Sequence, residues 1–192
     1  DDLLSAIANV EIDGERLPDE FLDGSWLLII IAGNDTTRNS LSGGLRLLGQ
    51  FPEQKAKVLA DRSLIPNMCH EIVRMVSPVM YMRRTALQDT DIRGQAIAEG
   101  EKIVMWYGAG NRDPEVFENP DQFDVTRANA SKHIAFGFGS HVCMGQRIAN
   151  MQLNAAFTQI FDRFPNIKWT GQQKILPNNF THSIGELEVD LG

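Results

Sequence analysis

The sequence predicts a mainly α-helical fold with small β-sheets, an α+β class. Two long helix-compatible stretches support this, one from Asp19 to about Gln50 and one at 144–164, and short β-prone runs lie between them. The 192 residues include 43% hydrophobic and 22% charged side chains, an ordinary globular composition. A chain of this length can bury one sizeable core.

The first long helix is bounded by proline. Pro18 is a start signal and Pro52 a stop signal. A helix of about thirty residues is unusually long for a globular protein. It contains Gly33, Gly43 and Gly44, each of which lowers helix stability by up to about 1 kcal/mol relative to alanine. We therefore expect local distortion of the helix, or close approach of a ligand, at these glycines.

The middle of the chain changes from helical to β-prone and then to irregular. Two shorter helices are predicted at 52–61 and 66–76, followed by a small meander of three β-prone runs at 79–87, 90–97 and 102–107. Residues 108–132 are rich in Pro, Asn, Asp and Arg, and an irregular segment of this length is usually functional. After the second long helix, short strands and turns are expected at 167–191.

Charge and cysteine content exclude several classes of function. The net charge of −7 disfavours nucleic acid and anionic membrane surfaces as partners. The two cysteines, Cys69 and Cys143, stand in unrelated surroundings, which indicates a reducing cytosol rather than a disulfide framework. The longest apolar run, Trp26 to Ala32, falls well short of the roughly 20 residues that span a bilayer. We expect a cytoplasmic protein without a membrane anchor.

Residues 136–145 read Phe-Gly-Phe-Gly-Ser-His-Val-Cys-Met-Gly. They place Cys143 between a glycine-containing loop and the start of a helix, where free N–H groups and the helix dipole favour a thiolate. Glycines also let the backbone approach a flat cofactor closely. This pattern suits a cysteine that holds a metal from one side, and the alternative is a small buried apolar residue.

This ten-residue run resembles the haem-ligand loop of the cytochrome P-450 superfamily, the haem-thiolate monooxygenases. The resemblance implies that Cys143 binds the iron of haem b and that Phe136, Gly137 and Gly145 contact the cofactor. It implies that His141 and Arg84 bind the haem propionates, with Arg83 as the competing choice for the arginine. The bland alternatives are core packing for Phe136, a loop histidine and a surface arginine.

A second motif lies in the middle of the first long helix. The run Ala32-Gly33-Asn34-Asp35-Thr36-Thr37 puts an acid and an alcohol, both mediocre helix formers, after an apolar stretch. The residues alone allow a bland interpretation, in which Asp35 and Thr36 end one helix and cap the next. In the resembled family this segment is the oxygen-activation groove. There, Ala32 and Gly33 leave room for O2, and Asp35 and Thr36 deliver protons.

The third motif is Glu71-Ile-Val-Arg74, whose two charged side chains share one helix face. Taken alone, it predicts a solvated surface pair. The resemblance implies instead a buried structural pair that braces the haem loop. The family often adds a second arginine at a position where this chain has Gln122, so that partner is in doubt, and Arg127 is left open as a replacement.

The resemblance covers nearly the whole chain and corresponds to the C-terminal half of the fold, with the N-terminal half absent. It is strongest to bacterial enzymes that hydroxylate alkanes, fatty acids or terpenoids. The implied activity inserts one atom of O2 into a C–H bond of a small hydrophobic substrate. Electrons would come from NAD(P)H through a ferredoxin or flavin-type partner, because the sequence has no nucleotide-binding fingerprint. A peroxide-driven peroxygenase, a non-catalytic haem-binding module and a chain inactive on its own remain alternatives.

Overall fold

A computed structural model describes residues 2–192 of the chain. About 47% of the chain is helical, and the described strands form only two-stranded antiparallel sheets. The predicted class, mainly α with small β-sheets, is therefore confirmed. The chain divides into two compact units, one ending at Asp35 and the other comprising Thr36–Gly192.

The unit that ends at Asp35 begins with elements that the sequence did not predict. Helix α1, Leu3–Ala8, is capped by Asp2, whose carboxylate accepts a hydrogen bond from the Ser5 amide at 2.8 Å. Strands β1, Glu11–Ile12, and β2, Glu15–Arg16, form a hairpin. Its turn uses Asp13 and Gly14 at φ values of 56° and 82°, the left-handed pair typical of tight hairpins.

Helix α2 spans Asp19–Gln50, as the flanking prolines predict. Two of its glycines serve helix packing rather than a ligand. A Cβ atom on Gly43 would lie 2.6 Å from Val76, and one on Gly44 would lie 2.7 Å from the Phe157 ring. The expectation of ligand approach is therefore wrong at these two positions, where glycine allows close contact between helices.

The core of the second unit is built by three further helices packed with the end of α2. These are α3, Pro52–Ala60, α4, Ile65–Val76, and α6, Gln146–Arg163, and a 3-10 turn at Arg62–Leu64 joins α3 to α4. Both short helices predicted before the β-prone region are confirmed. Buried apolar side chains from these elements form one cluster, which includes Leu47, Val58, Met68, Ile72, Leu153, Phe157 and Phe161.

The β-prone region differs from the predicted three-stranded meander. Strand β3, Tyr81–Thr85, pairs with β6, Lys102–Trp106, while β4, Thr90–Ile92, and β5, Gln95–Ile97, form a separate hairpin. The run at 90–97 folds back on itself because Arg93 and Gly94 both adopt positive φ. One predicted strand is therefore two.

A short helix, α5 at Tyr107–Gly110, opens the segment predicted to be irregular. The segment is not loosely held, since Phe117, Phe123 and Val125 are fully buried. The strands expected at 167–191 are present but longer than predicted: β7, Lys168–Leu176, pairs with β8, Ser183–Asp190. In the described chain, no helix combines the length and apolar character needed to cross a membrane.

Candidate functional site

Cys143 lies just before helix α6 and carries an exposed thiol. Its amide donates to the Phe136 carbonyl at 2.8 Å, which closes the loop that precedes it. Gly145 is the N-cap residue of α6 and has no side chain with which to satisfy the first helical N–H groups. Positive helix-dipole charge therefore remains close to Cys143. Cys69, by contrast, is buried, and burial raises the pKa of its thiol to about 12.

The glycines of the Cys143 loop are required by its backbone. Gly137 and Gly139 have φ values of 74° and 70°, in the left-handed region that other residues rarely adopt. A Cβ atom on Gly137 would lie 3.1 Å from the His141 carbonyl oxygen, so this turn is tight. A Cβ atom on Gly139 would meet no described atom within 4 Å, so the loop is open on that side.

Apolar side chains close to Cys143 in the sequence are exposed to solvent. Phe138 is 87% exposed and Met144 is 73% exposed, and three neighbours share this property: Val142, Ile148 and Met151. The opposite side of α6 is buried in the core through Leu153 and Phe157. A concentration of exposed apolar groups of this kind indicates a surface that a large apolar ligand or partner covers.

Phe136 differs from its neighbours because it belongs to the core. It is half-buried, packs against the core cluster and lies 5.4 Å from the His133 ring. The bland interpretation of Phe136, ordinary core packing, is therefore confirmed, and its predicted contact with a cofactor stays a prediction.

The two candidate propionate ligands occupy different elements. Arg84 is a half-buried residue of β3, whereas its neighbour Arg83 is exposed, as expected for consecutive residues of a strand. The Arg84 guanidinium donates to the Arg83 carbonyl at 3.0 Å. His141 ends the 3-10 turn Gly139–His141 and is exposed. Both side chains keep donors that a carboxylate ligand could use.

The Glu71–Arg74 pair is fully buried, so its interpretation as a solvated surface pair is wrong. Arg74 donates from Nε to Oε2 and from Nη2 to Oε1 of Glu71, both at 2.8 Å. The remaining Arg74 donors reach backbone carbonyls of the irregular segment, those of Asn111, Pro120 and Gln122, at 2.7, 2.8 and 3.1 Å. Helix α4 is thereby tied to the chain that leads to Cys143.

Arg127 completes this buried network. Its Nε atom donates to Glu71 Oε1 at 3.0 Å, and its side chain is 7% exposed. Gln122 contributes its backbone carbonyl, which accepts from both arginines, while the residue itself is exposed. The question that the sequence left open is thus answered in favour of Arg127.

His133, to which the sequence analysis assigned no role, is buried between aromatic rings. Its ring lies 5.7 Å from that of His70 and 5.4 Å from that of Phe136. Burial, followed by the nearby His70 and Arg74 charges, lowers the pKa of His133 to about 4. The imidazole is therefore neutral at neutral pH and acts as a packing group behind the Cys143 loop. A histidine in a polar sequence gives no signal of such burial.

Helix α2 continues without interruption through Asp35 and Thr36, so the interpretation in which they end one helix and cap another is wrong. Both residues are half-buried, and the Thr36 carbonyl accepts a hydrogen bond from Ser40 Oγ at 2.8 Å. Ala32 and Gly33 are exposed. A Cβ atom on Gly33 would meet no described atom within 4 Å, unlike those on the packed glycines further along the helix.

Comparison with known proteins assigns the chain to a family. The family model for cytochrome P450 matches residues 1–188, nearly the full chain. The chain belongs to the cytochrome P450 family.

Individual relatives of this P450 chain are bacterial. Linalool 8-monooxygenase of Pseudomonas putida is 40% identical over 190 residues, covering 99% of the chain and 47% of that protein. The methyl-branched lipid omega-hydroxylase of Mycobacterium tuberculosis is 39% identical over 98% of the chain and 44% of its own length. A Mycobacterium marinum cytochrome P450 in complex with pseudoionone superposes with a TM-score of 0.94 at 42% identity, over 98% of the chain and 46% of that structure.

The P450 chain spans about half the length of the curated relatives it matches. Membership of the family implies haem as a cofactor. In the described chain, no group of three or more His, Cys, Asp or Glu side chains could hold a metal ion. An iron held by a porphyrin can take a single protein ligand, so haem does not require such a cluster.

Proposed function

We propose that this chain is the haem-binding and oxygen-handling part of a haem-thiolate monooxygenase, and that residues 1–192 form part of one cytochrome P450 domain. In this reaction one atom of O2 enters a C–H bond of a small hydrophobic substrate and the other leaves as water. The observation that carries the proposal is the exposed Cys143 thiol at the start of α6. The chain's other cysteine is buried and has a raised pKa.

The residues around Cys143 fit haem b. The open side of Gly139 and the exposed Phe138 and Met144 side chains offer a surface that a flat apolar macrocycle can cover. Haem, when bound, supplies the iron at which O2 is activated. In the proposal the Cys143 sulfur would hold that iron, beside the positive dipole end of α6. Further contacts to the macrocycle would come from Phe136, Gly137 and Gly145.

The haem propionates are assigned to Arg84 and His141. Two carboxylates at the edge of a partly buried ligand need cations or strong donors. Arg84, half-buried in β3, keeps guanidinium donors beyond its bond to the Arg83 carbonyl, and His141 presents an exposed imidazole. Arg83, exposed on the other side of the strand, is the less suitable arginine.

Proton delivery is assigned to Asp35 and Thr36. The Thr36 hydroxyl can donate a hydrogen bond to O2, and the Asp35 carboxyl can hold and pass protons to it through water. Their position in an unbroken helix, beside a glycine whose open side would hold O2, supports this assignment. These two residues would govern where protons arrive, and therefore whether electrons from NAD(P)H yield hydroxylated product or hydrogen peroxide.

We propose an alkane, fatty-acid or terpenoid substrate. Two relatives, linalool 8-monooxygenase and methyl-branched lipid omega-hydroxylase, support a small hydrophobic molecule. Candidate contacts lie near Ile29 and Asn34 and at 79–82. Met80 in the latter segment lines an open cleft of about 230 Å³, together with Trp106, Gly108, Ala109 and His182. Electrons would come from NAD(P)H through a ferredoxin or flavin-type protein.

The decisive experiment supplies the haem-loaded chain with linalool, NADH, a ferredoxin–reductase pair and 18O-labelled O2. Monooxygenation predicts one 18O atom in the product and one in water, with neither formed by a Cys143→Ala variant. Product formed only when hydrogen peroxide replaces NADH would contradict the monooxygenase assignment in favour of a peroxygenase. Haem binding without product from linalool, lauric acid or octane under either condition would support a non-catalytic module.

A further inference from the structure

We infer that Asn111 is a positioning residue that fixes the Cys143 loop against helix α4. The inference rests on the proposed function in one respect, the role of Cys143 as the haem ligand. Asn111 lies in the irregular segment, far from Cys143 in sequence, and no motif of the sequence includes it.

Asn111 is completely buried, and each of its polar groups has a partner. Its carbonyl accepts from Arg74 Nη1 at 2.7 Å, and its Nδ2 donates to Ser77 Oγ at 2.8 Å. Its Oδ1 accepts from the Ile134 amide at 2.7 Å. A buried side chain that satisfies groups on two different segments specifies how those segments meet.

The first two bonds anchor Asn111 to helix α4. Arg74 belongs to the buried network with Glu71, and Ser77 is the C-cap residue of α4, whose hydroxyl also donates to the Arg74 carbonyl at 3.0 Å. Ser77 is itself completely buried. The side-chain amide of Asn111 thus directs Nδ2 at Ser77 and Oδ1 at the Ile134 amide, so that different atoms make the two bonds.

The third bond leads to Cys143 in two further steps. The Ile134 carbonyl accepts from the Gly137 amide at 2.9 Å, which forms the turn at 134–137. Within this turn the Phe136 carbonyl accepts from the Cys143 amide at 2.8 Å. The backbone position of Cys143 thus depends on the turn, and the turn is fixed at its first residue by Asn111.

A merely structural role would make Asn111 one more buried polar residue whose loss weakens the whole fold equally. A positioning role predicts that its loss acts on residues 134–143 beyond any effect on global stability. Ser77→Ala is the matched control, because it removes the Ser77 partner of Asn111 yet leaves the Oδ1 bond to Ile134 in place. Asn111→Leu removes that bond with little change in side-chain volume.

The test measures amide hydrogen exchange of the chain in the wild type and both variants, with global stability from urea unfolding. In Asn111→Leu, exchange at 134–143 should accelerate by about tenfold more than the change in global stability explains, as expected when a buried N–H group loses its partner. Ser77→Ala should show no such local excess. Equal exchange in the two variants after correction for stability would overturn the inference.

Two further variants keep the test decisive if Asn111→Leu fails to fold. Asn111→Asp retains an acceptor oxygen at the same distance and should protect residues 134–143 as the wild type does. Asn111→Ser shortens the side chain and should accelerate amide exchange at residues 134–143. Similar protection in these two variants would contradict a role for the Oδ1 bond.

A second measurement uses the absorption spectrum of the haem-loaded protein. In the carbon monoxide complex of the reduced protein, Asn111→Leu should lose part of the red-shifted thiolate-type Soret band, and Ser77→Ala should keep it. A wild type that takes up no haem would count against the proposed function, while the exchange data would still decide the role of Asn111. A full thiolate-type band in Asn111→Leu would overturn the positioning role.

Discussion

Arg127 Nε lies 3.0 Å from Glu71 Oε1, which gives a buried glutamate two arginine partners. Arg74 holds the same carboxylate from the next turn of α4, and the Asp124 amide donates to Oε1 at 3.0 Å. A buried carboxylate is tolerated only when its charge and its lone pairs are compensated, and these groups provide both. The cluster joins α4 to the irregular segment ahead of Cys143.

Removal of Arg127 should destabilise the fold strongly. Arg127→Leu removes one of the two arginine partners of the buried Glu71 and deprives three carbonyls, those of Glu118, Asn119 and Gln122, of a donor. We expect the free energy of unfolding, measured with urea, to fall by about 3 kcal/mol. Gln122→Arg in the same background should not restore it, because the Gln122 side chain is exposed. Full restoration would show that the arginine position is interchangeable.

Stability should decrease as the pH falls through the range in which the unfolded chain protonates His133. The folded pKa is about 4, below the usual 6.5, so between these values the unfolded state binds more protons. The stability contributed by neutral His133 is complete above pH 6.5 and is lost progressively down to about pH 4. The total loss from this group is about 3 kcal/mol.

His133→Phe tests this pH dependence, since phenylalanine can pack between His70 and Phe136 without titrating. The free energy of unfolding, measured with urea at several pH values, should fall less steeply in the variant than in the wild type between pH 6.5 and 4. In His70→Gln the decline should end at a higher pH and its total should be smaller, because the His70 charge helps to lower the folded pKa of His133. An identical profile for His133→Phe and the wild type would refute the assignment.

Two glycines of α2 should respond oppositely to alanine. Gly44→Ala forces a Cβ atom to within 2.7 Å of the Phe157 ring, and overpacking of this kind costs about 1–3 kcal/mol. Gly33→Ala meets no described atom within 4 Å and gains helix propensity of up to about 1 kcal/mol. The melting temperature should therefore be higher than that of the wild type in Gly33→Ala and lower in Gly44→Ala. The reverse order would exclude the packing described for α2.

The Thr36 hydroxyl should determine how efficiently reducing equivalents become product. Thr36→Val removes the hydroxyl at nearly constant volume, whereas Thr36→Ser retains it. With NADH and a ferredoxin–reductase pair, Thr36→Val should lower product per NADH by about tenfold or more and release hydrogen peroxide instead. Thr36→Ser should stay close to the wild type. An unchanged amount of product per NADH in Thr36→Val would contradict a role of Thr36 in proton delivery.

Local sequence signals predicted the parts of the fold that depend on local interactions. The prolines around α2 mark its ends, and the glycines around Cys143 mark a loop that enters a helix. The hairpin at 90–97 was missed because Arg93, an unusual residue at positive φ, concealed its turn. Arg127 could be named as a candidate partner of Glu71, but 56 residues separate them and only tertiary packing decides the pairing.

The roles of Asn111 and His133 cannot be predicted from the sequence. Both occur among polar residues, and hydrophobic periodicity carries no information about a buried asparagine or histidine. Their roles follow from burial and from partners distant in the chain, Ile134 and Ser77 for Asn111 and the His70 ring for His133. The roles of such residues can be identified only from the tertiary structure around them.

A carbon monoxide difference spectrum of the reduced, haem-reconstituted chain shows directly whether Cys143 is the haem ligand. Ligation by an intact Cys143 thiolate predicts a strongly red-shifted Soret band, which Cys143→Ala should abolish and Cys69→Ala should leave unchanged. An unshifted, histidine-like band in the wild type, or a red-shifted band that survives Cys143→Ala, would contradict the assignment of Cys143 as the haem ligand.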